Sequence, residues 1–311
     1  MTTATDVTPS IFPAAHAILC DGRDEWLGVR RNYIGASDAA GILGEGYAGQ
    51  SRYSIWADKC GYPCEEMNEK RLRIGKLMEP ALRRIFEEET EVICRDPGEH
   101  TVLVSREWPW MAATLDGIAV CDDRGPLPVE LKNVGHFMRD EWDKAGPLKY
   151  QIQVQHQLAV TGAPAAYLFG LIGGNEPAVI LCERNESFIA ALADDLYTFW
   201  QLVQNQTPPE VDGSDSTAKA LKRLHPNDNG EAVLLPIESL EWDSELADVK
   251  RQLKDVEARE QLLKNRIVAA IGDATFGVLP NGQQYSYKTQ TRAEYVCKSS
   301  TFRVLRKAKG K

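Results

Sequence analysis

Asp116, Glu130 and Lys132 carry the chemistry most easily read from this chain. Residues two apart on a β-strand share a face, so Glu130 and Lys132 would point together while Leu131 points away. The stretch between the two acids, 122–128, is short and holds Gly125, Pro126 and Pro128. Antiparallel pairing across it would bring Asp116 beside Glu130. Two carboxylates in one place repel unless positive charge lies between them. A divalent cation with hard oxygen ligands resolves that repulsion, and the Leu131 carbonyl is a natural further ligand. Such an ion can activate a water and clamp phosphoryl oxygens. A neighbouring lysine can orient that water, accept its proton or stabilise the growing charge. Glu79, on the border of the apolar series Leu77–Phe86, could lean from a helix to bind metal-coordinated water or a second ion. Spacing alone leaves open a solvated strand with alternating charge. The run Pro109–Gly117, PWMAATLDG, is not typical of such a strand.

The elements that must position these groups follow from pattern. Residues 68–90 read as a helix in which Leu77, Met78, Ala81, Leu82, Ile85 and Phe86 form a buried stripe, with a kink or a helix start near Pro80. Ser37 reads as the N-cap of a helix ending at Gly44, and Ser51 as the cap of one ending at Gly61. Strand-like runs cover 91–95, 101–105, 112–121, 127–134, 165–172 and 178–182, with helices over 147–162 and 186–205. The expected fold is mixed α/β: a mixed β-sheet flanked by helices, with a C-terminal appendage.

The domain reading is a flexible lead-in over 1–21, a main domain over 22–210, a Pro-, Asp-, Ser-, Asn- and Gly-rich linker over 211–236, and a further unit over 237–311. In that last unit Leu246, Val249, Leu253, Val256, Leu263 and Ile267 fall on heptad positions, interrupted by Glu260. They suit either packing on the same chain or pairing between chains. Asn281-Gly282 between two apolar runs signals a hairpin. A basic tail closes the chain: residues 288–311 hold eight lysines and arginines against Glu294 alone, in a protein of net charge −9. Such a tail can bind phosphates or simply stay solvated. The acidic balance argues against a generic DNA coat. Seven scattered cysteines and no basic-then-apolar leader point to reduced thiols and a cytoplasmic setting. Cys60 and Cys64 read as two small half-buried side chains rather than a metal site. No apolar stretch is long enough to cross a membrane.

Several motifs occur in the order of a known family. Arg73–Pro80 (RIGKLMEP), Thr114–Gly117 (TLDG), Glu130–Lys132 (ELK) and Gln153–His156 (QVQH), with Gly35–Asp38 (GASD) and Leu171–Asn175 (LIGGN), resemble the YqaJ-like viral recombinases. These are relatives of phage lambda exonuclease within the PD-(D/E)xK nucleases, which have a restriction-endonuclease-like core. The resemblance covers about residues 22–210. One departure is Leu115, where the superfamily name has proline; that position varies and puts little in doubt.

The resemblance implies that Asp116, Glu130 and the Leu131 carbonyl hold Mg²⁺, with Mn²⁺ as the alternative and two ions per site. Glu79 would assist and Lys132 would be the catalytic lysine. Gln153 would orient the lysine or the scissile phosphate, unless it is a plain surface glutamine. Gln155 and Gln157 are weaker candidates, only Gln157 sharing a helical face with Gln153. His156, in the same helix, could approach DNA. Arg30, Ser37 and Thr114 match a pocket for the 5′ phosphate of a strand end, although Arg31 could replace Arg30 and Ser37 could be only a cap. Arginine and the free N–H groups of a helix start do suit an anion. The implied activity is 5′-to-3′ digestion of one strand of duplex DNA from an end, leaving a 3′ single-stranded tail. A single-strand annealing protein would receive that tail, and a trimeric ring would enclose the duplex in a bacterial host's cytoplasm. Endonuclease or repair cleavage on the same core, and a catalytically silent DNA-binding module, are the competing readings.

Overall fold

The computed structural model describes residues 7–9, 11–47, 49–63, 69–121, 123–142, 145–292, 303, 306 and 307. Cys64 and most of the basic tail lie outside them. The chain divides into Met1–Pro226 and Asn227–Lys311.

Two five-stranded sheets, not one, build the first unit. The first runs β1 (Val7–Pro9), β2 (Ala15–Leu19), β5 (Thr101–Ser105), β6 (Met111–Ala113) and β3 (Ile34–Gly35). The second runs β10 (Glu176–Glu183), β9 (Ala165–Ile172), β8 (Gly125–Val134), β7 (Gly117–Cys121) and β4 (Cys94–Arg95). Both sheets are mixed: β3–β6 and β8–β9 pair in parallel, while the other pairings are antiparallel. Around them lie α1 (Arg23–Arg31), α2 (Ala36–Ile42), α3 (Arg52–Lys59), α4 (Glu69–Thr90), α5 (Leu148–Thr161), α6 (Glu186–Gln204) and α7 (Asp215–Leu224). β8 and β9 are central strands covered on both faces, and Leu127, Val129, Leu168 and Phe169 are fully buried.

Several expectations change. The expected lead-in supplies β1 and β2, because Phe12, Ala15 and Ala17 have an apolar core to enter. The expected linker contains α7, whose Ser216 hydroxyl donates to the Gly49 carbonyl at 2.8 Å and whose Thr217 hydroxyl donates to Ser51 Oγ at 2.8 Å. The run 112–121 is not one strand. It ends one sheet with β6 and starts the other with β7, the chain crossing at Thr114-Leu115-Asp116. Helix α4 passes through Pro80 without a new start. Its stripe is narrower than expected: Leu82 and Phe86 are buried, but Leu77 is 69% exposed and Ala81 is exposed. Met78 and Ile85 are partly buried against the core between these extremes.

Ser37 does not cap α2. Gly35 occupies the cap, and its N–H donates to the Asp38 carboxylate at 2.9 Å. Asp38 also meets Lys59 of α3 at 2.7 Å, with the lysine side chain only 3% exposed. Burial alone would raise the Asp38 pKa, but Lys59 and Arg30 outweigh it and hold the carboxyl below its usual range. Lys59 donates further to the Arg30 carbonyl at 3.1 Å. One ion pair thus ties α1, α2 and α3 together.

The second unit holds α8 (Ser239–Ile271) and the hairpin of β11 (Phe276–Val278) and β12 (Gln284–Ser286), closed by reciprocal bonds between Leu279 and residues 282 and 283. The hairpin lies where Asn281-Gly282 places it. No residue of α8 is buried, and within this unit the heptad residues have no covering among the described residues.

Two predictions follow from this packing. A Cβ on Gly117 would stand 2.5 Å from Cys94 Sγ and 3.3 Å from Val129 Cβ. Gly117→Ala should therefore cost about 1–3 kcal/mol in denaturant unfolding, and unchanged stability would mean that this contact relaxes freely. Asp38→Ala should cost about 3–5 kcal/mol by stranding a buried lysine, and adding Lys59→Met should recover most of it. Because the folded pKa of Asp38 is depressed, its contribution is present above the usual carboxylate range and is lost as pH falls through and below it. Acid unfolding followed for the wild type and the double variant checks the sign.

Candidate active site

Strand β8 sets the centre. Its antiparallel register pairs Val129 with Gly117, so the next step places Glu130 alongside Asp116. The contact is direct: the Leu131 N–H donates to Asp116 Oδ2 at 3.0 Å. The Asp116 carbonyl accepts from Arg83 of α4 at 2.8 Å. Glu79 lies one helical turn before Arg83 and is half-buried. Its pKa is raised by burial and then by the Asp116 charge, with Lys76 opposing from 3.0 Å. Glu79, Asp116 and Glu130 therefore share one electrostatic neighbourhood.

Glu130 is 1% exposed. Its Oε1 accepts from Lys132 Nζ, two residues along the strand, and from Gln153 Nε2 at 2.7 Å; its Oε2 accepts from Gln157 Nε2. Gln153 and Gln157 are one turn apart on α5, so one helix face supplies both amides. The Glu130 pKa is raised, first by burial and then by Asp116. Burial opposes the charge on Lys132, but Glu130, Tyr47 and Asp116 together outweigh it and raise the lysine's pKa. Hard oxygen donors repelling one another around Asp116 suit a divalent cation in donor chemistry. Among the described residues, however, no three acidic, His or Cys side chains form a ready cage, because Glu130 is turned onto Lys132 and the two glutamines.

The second cluster lies at the end of the other sheet. Arg30 Nη2 donates to Ser37 Oγ at 3.0 Å, and its guanidinium stacks 4.5 Å from the Trp26 ring centre. Strands β3 and β6 run parallel, with Ile34 on Met111 and Gly35 on Ala112. Ser37 and Thr114 thus leave that pair at the same end, each two residues past the last paired position. Thr114 and Asp116 belong to one crossover, which links this cluster to the carboxylates.

Two other candidates lie elsewhere. His156 is fully buried, with a pKa lowered to about 4 chiefly by desolvation, so it is a neutral interior ring out of reach of DNA. Gln155 points the other way along α5, donating to the Glu183 carbonyl at 2.8 Å and accepting from Asn185 N–H at 3.0 Å.

Sequence reasoning missed Tyr47 and Tyr150. The Tyr47 hydroxyl donates to Gln153 Oε1 at 3.1 Å, and Lys132 Nζ lies 5.2 Å from the Tyr150 ring centre. Tyr150 was findable, being three residues before Gln153 on one helix face. Tyr47 sits in a loop 106 residues from Gln153 and carries no local signal. The Asp38–Lys59 pair was likewise invisible to spacing.

The model of the YqaJ-like viral recombinase domain matches residues 25–164. "Uncharacterized protein YqaJ" of Bacillus subtilis (strain 168) is 30% identical over 267 residues, 84% of this chain and 82% of that protein. Among solved structures, LHK-Exo in complex with dAMP is 19% identical at a TM-score of 0.48, over 66% of this chain and 98% of that one. An alkaline exonuclease (LHK-Exo) from Laribacter hongkongensis is 18% identical at 0.46, over 60% and 94%. With the domain match spanning both residue clusters and a relative of this identity aligned over most of both chains, this chain belongs to the YqaJ-like viral recombinase family.

Proposed function

We propose that this protein is a metal-dependent DNA exonuclease that removes nucleotides from the 5′ end of one strand of duplex DNA. The observation that carries the reading is the buried Glu130 carboxylate, flanked on one sheet face by Lys132 and backed by Gln153 and Gln157, next to Asp116. Asp116, Glu130, the Leu131 carbonyl and Glu79 would hold the metal, read as two Mg²⁺ ions with Mn²⁺ as the substitute. The metal would supply an activated water and neutralise phosphoryl charge. Gln153 and Gln157 fix the Glu130 carboxylate, and Tyr47 fixes Gln153 in turn. Lys132 places a cation where charge grows on the phosphate.

The Arg30–Ser37 pair, with Thr114 at the same end of the β3–β6 pair, favours cutting at ends over internal cleavage. An arginine held by a hydroxyl can take a terminal phosphate in two-point contact. The intact acid and lysine set favours an enzyme over a silent binding module. Family membership supports a role in recombination, with a 3′-tailed product passed to a single-strand annealing protein and a ring-shaped trimer around the duplex. No helix among the described residues is long and apolar enough to cross a membrane.

Linear duplexes with 5′-phosphate, 5′-hydroxyl or covalently closed ends, incubated with Mg²⁺, test this. The expected result is digestion that is fastest from 5′-phosphate ends and needs a free end; equal cutting of closed circles would overturn it. Lys132→Ala should lower turnover by at least about a hundredfold while sparing DNA binding. Gln157→Ala should lower turnover by about tenfold, through a misplaced Glu130. Wild-type rates in either variant would remove that residue from the mechanism.

A further inference from the structure

We propose that α8 pairs antiparallel with α8 of a second copy of this chain, with Leu253 of one copy opposite Val256 of the other. The helix is 33 residues long and buries none of them. Leu246, Val249, Leu253, Val256 and Leu263 stand 44–64% exposed in one heptad seam, which Ile267 continues. A seam of this length on a soluble protein calls for a partner helix.

Charge along the seam selects the partner and the direction. In the proposed register the apolar layers are Leu253 with Val256, Leu246 with Leu263, and Trp242 with Ile267, each formed twice by two-fold symmetry. On one flank Lys250 meets Glu257 and Asp243 meets Lys264. On the other, Glu245 meets Arg266 and Gln252 meets Arg259. Every charged pair is of opposite sign, and no like charges meet. Glu260, the polar residue in the seam, bonds Lys264 of its own helix at 2.6 Å, which draws its charge to the edge opposite Val249. Asp243 meets Lys307 at 2.5 Å within the chain, an exposed pair that a second copy's lysine can replace.

The alternatives are worse. A parallel pair would set Glu260 against Glu260 in the seam and Arg259 against Lys264 beside it. Sliding the antiparallel pair by one heptad sets Lys250 against Lys264 in one direction and against Lys250 in the other. Of these arrangements only the proposed one is complementary throughout, and it also sets the full length of the apolar seam against its partner.

Sedimentation of the full-length chain over a concentration series tests this. The wild type should form an assembly of twice the mass of the Leu253→Asp variant at the same concentration. The factor of two holds whether the rest of the chain is monomeric or forms a ring. Circular dichroism checks that the variant keeps its helix. Lys250→Glu should weaken self-association by about tenfold, by turning two attractive pairs repulsive, and adding Glu257→Lys should restore it. A parallel pair would keep position 250 against Glu245, so the double swap would not restore association. Equal masses for wild type and Leu253→Asp, or a double swap as weak as Lys250→Glu, would overturn the proposal. Either result would leave the seam to another part of this chain or to an unlike protein.

Discussion

The first unit is organised around a carboxylate that is out of water. Glu130 lies in a central strand with 1% of its surface exposed, where an unpaired charge would cost several kcal/mol. Its stability rests on three donors from two elements: Lys132 from the same strand, and Gln153 and Gln157 from α5. Each donor constrains something else. Lys132 must stay on the Glu130 face. Helix α5 must sit over β8 at a fixed rotation. Tyr47 must approach Gln153 from another loop. The hydrogen bonds that make the buried acid tolerable are thus the ones that aim it.

The crossover 114–116 gives that centre its reach. Three residues carry the chain from one sheet to the other, with Asp116 beside Glu130 and Thr114 at the end where Arg30 and Ser37 meet. The two clusters are consequently linked by backbone rather than by a flexible loop. Gly117 completes the crossover, because a side chain there would collide with Cys94 and Val129. On the far side, the Asp38–Lys59 pair fixes the segment carrying Arg30 and Ser37.

How much of this could be read from the chain depended on range. Alternation in β8 and the short turn before it were enough to expect Asp116, Glu130 and Lys132 side by side, as they lie, since both signals are local. The hairpin at Asn281-Gly282 was legible for the same reason. Burial was not. Leu77 has helical spacing but stays exposed, whereas Phe12 and Ala15 look like an idle terminus yet enter the core. Helical period did set Gln157 on the face of Gln153 and Gln155 off it, but because α5 is buried on most sides it could not show that His156 is interior. Tyr47 and the Asp38–Lys59 pair are contacts across the fold, which one sequence does not announce.

Strand β8 also has a bearing on safety. Its neighbours on both sides fix its register, Gly117 on Val129 in one direction and Leu168 on Glu130 in the other. A slip of one residue would turn Leu131 into the place of the two charges and drive Glu130 and Lys132 together into the opposite face. Glu130 keeps Lys132 in such a slip, but Asp116, on the crossover, loses both of them. The carboxylates and the lysine assemble in the native register of β8 and come apart in one shifted by a single residue. For a protein proposed to cut DNA, the pleat of one strand thus decides whether the cutting groups meet at all.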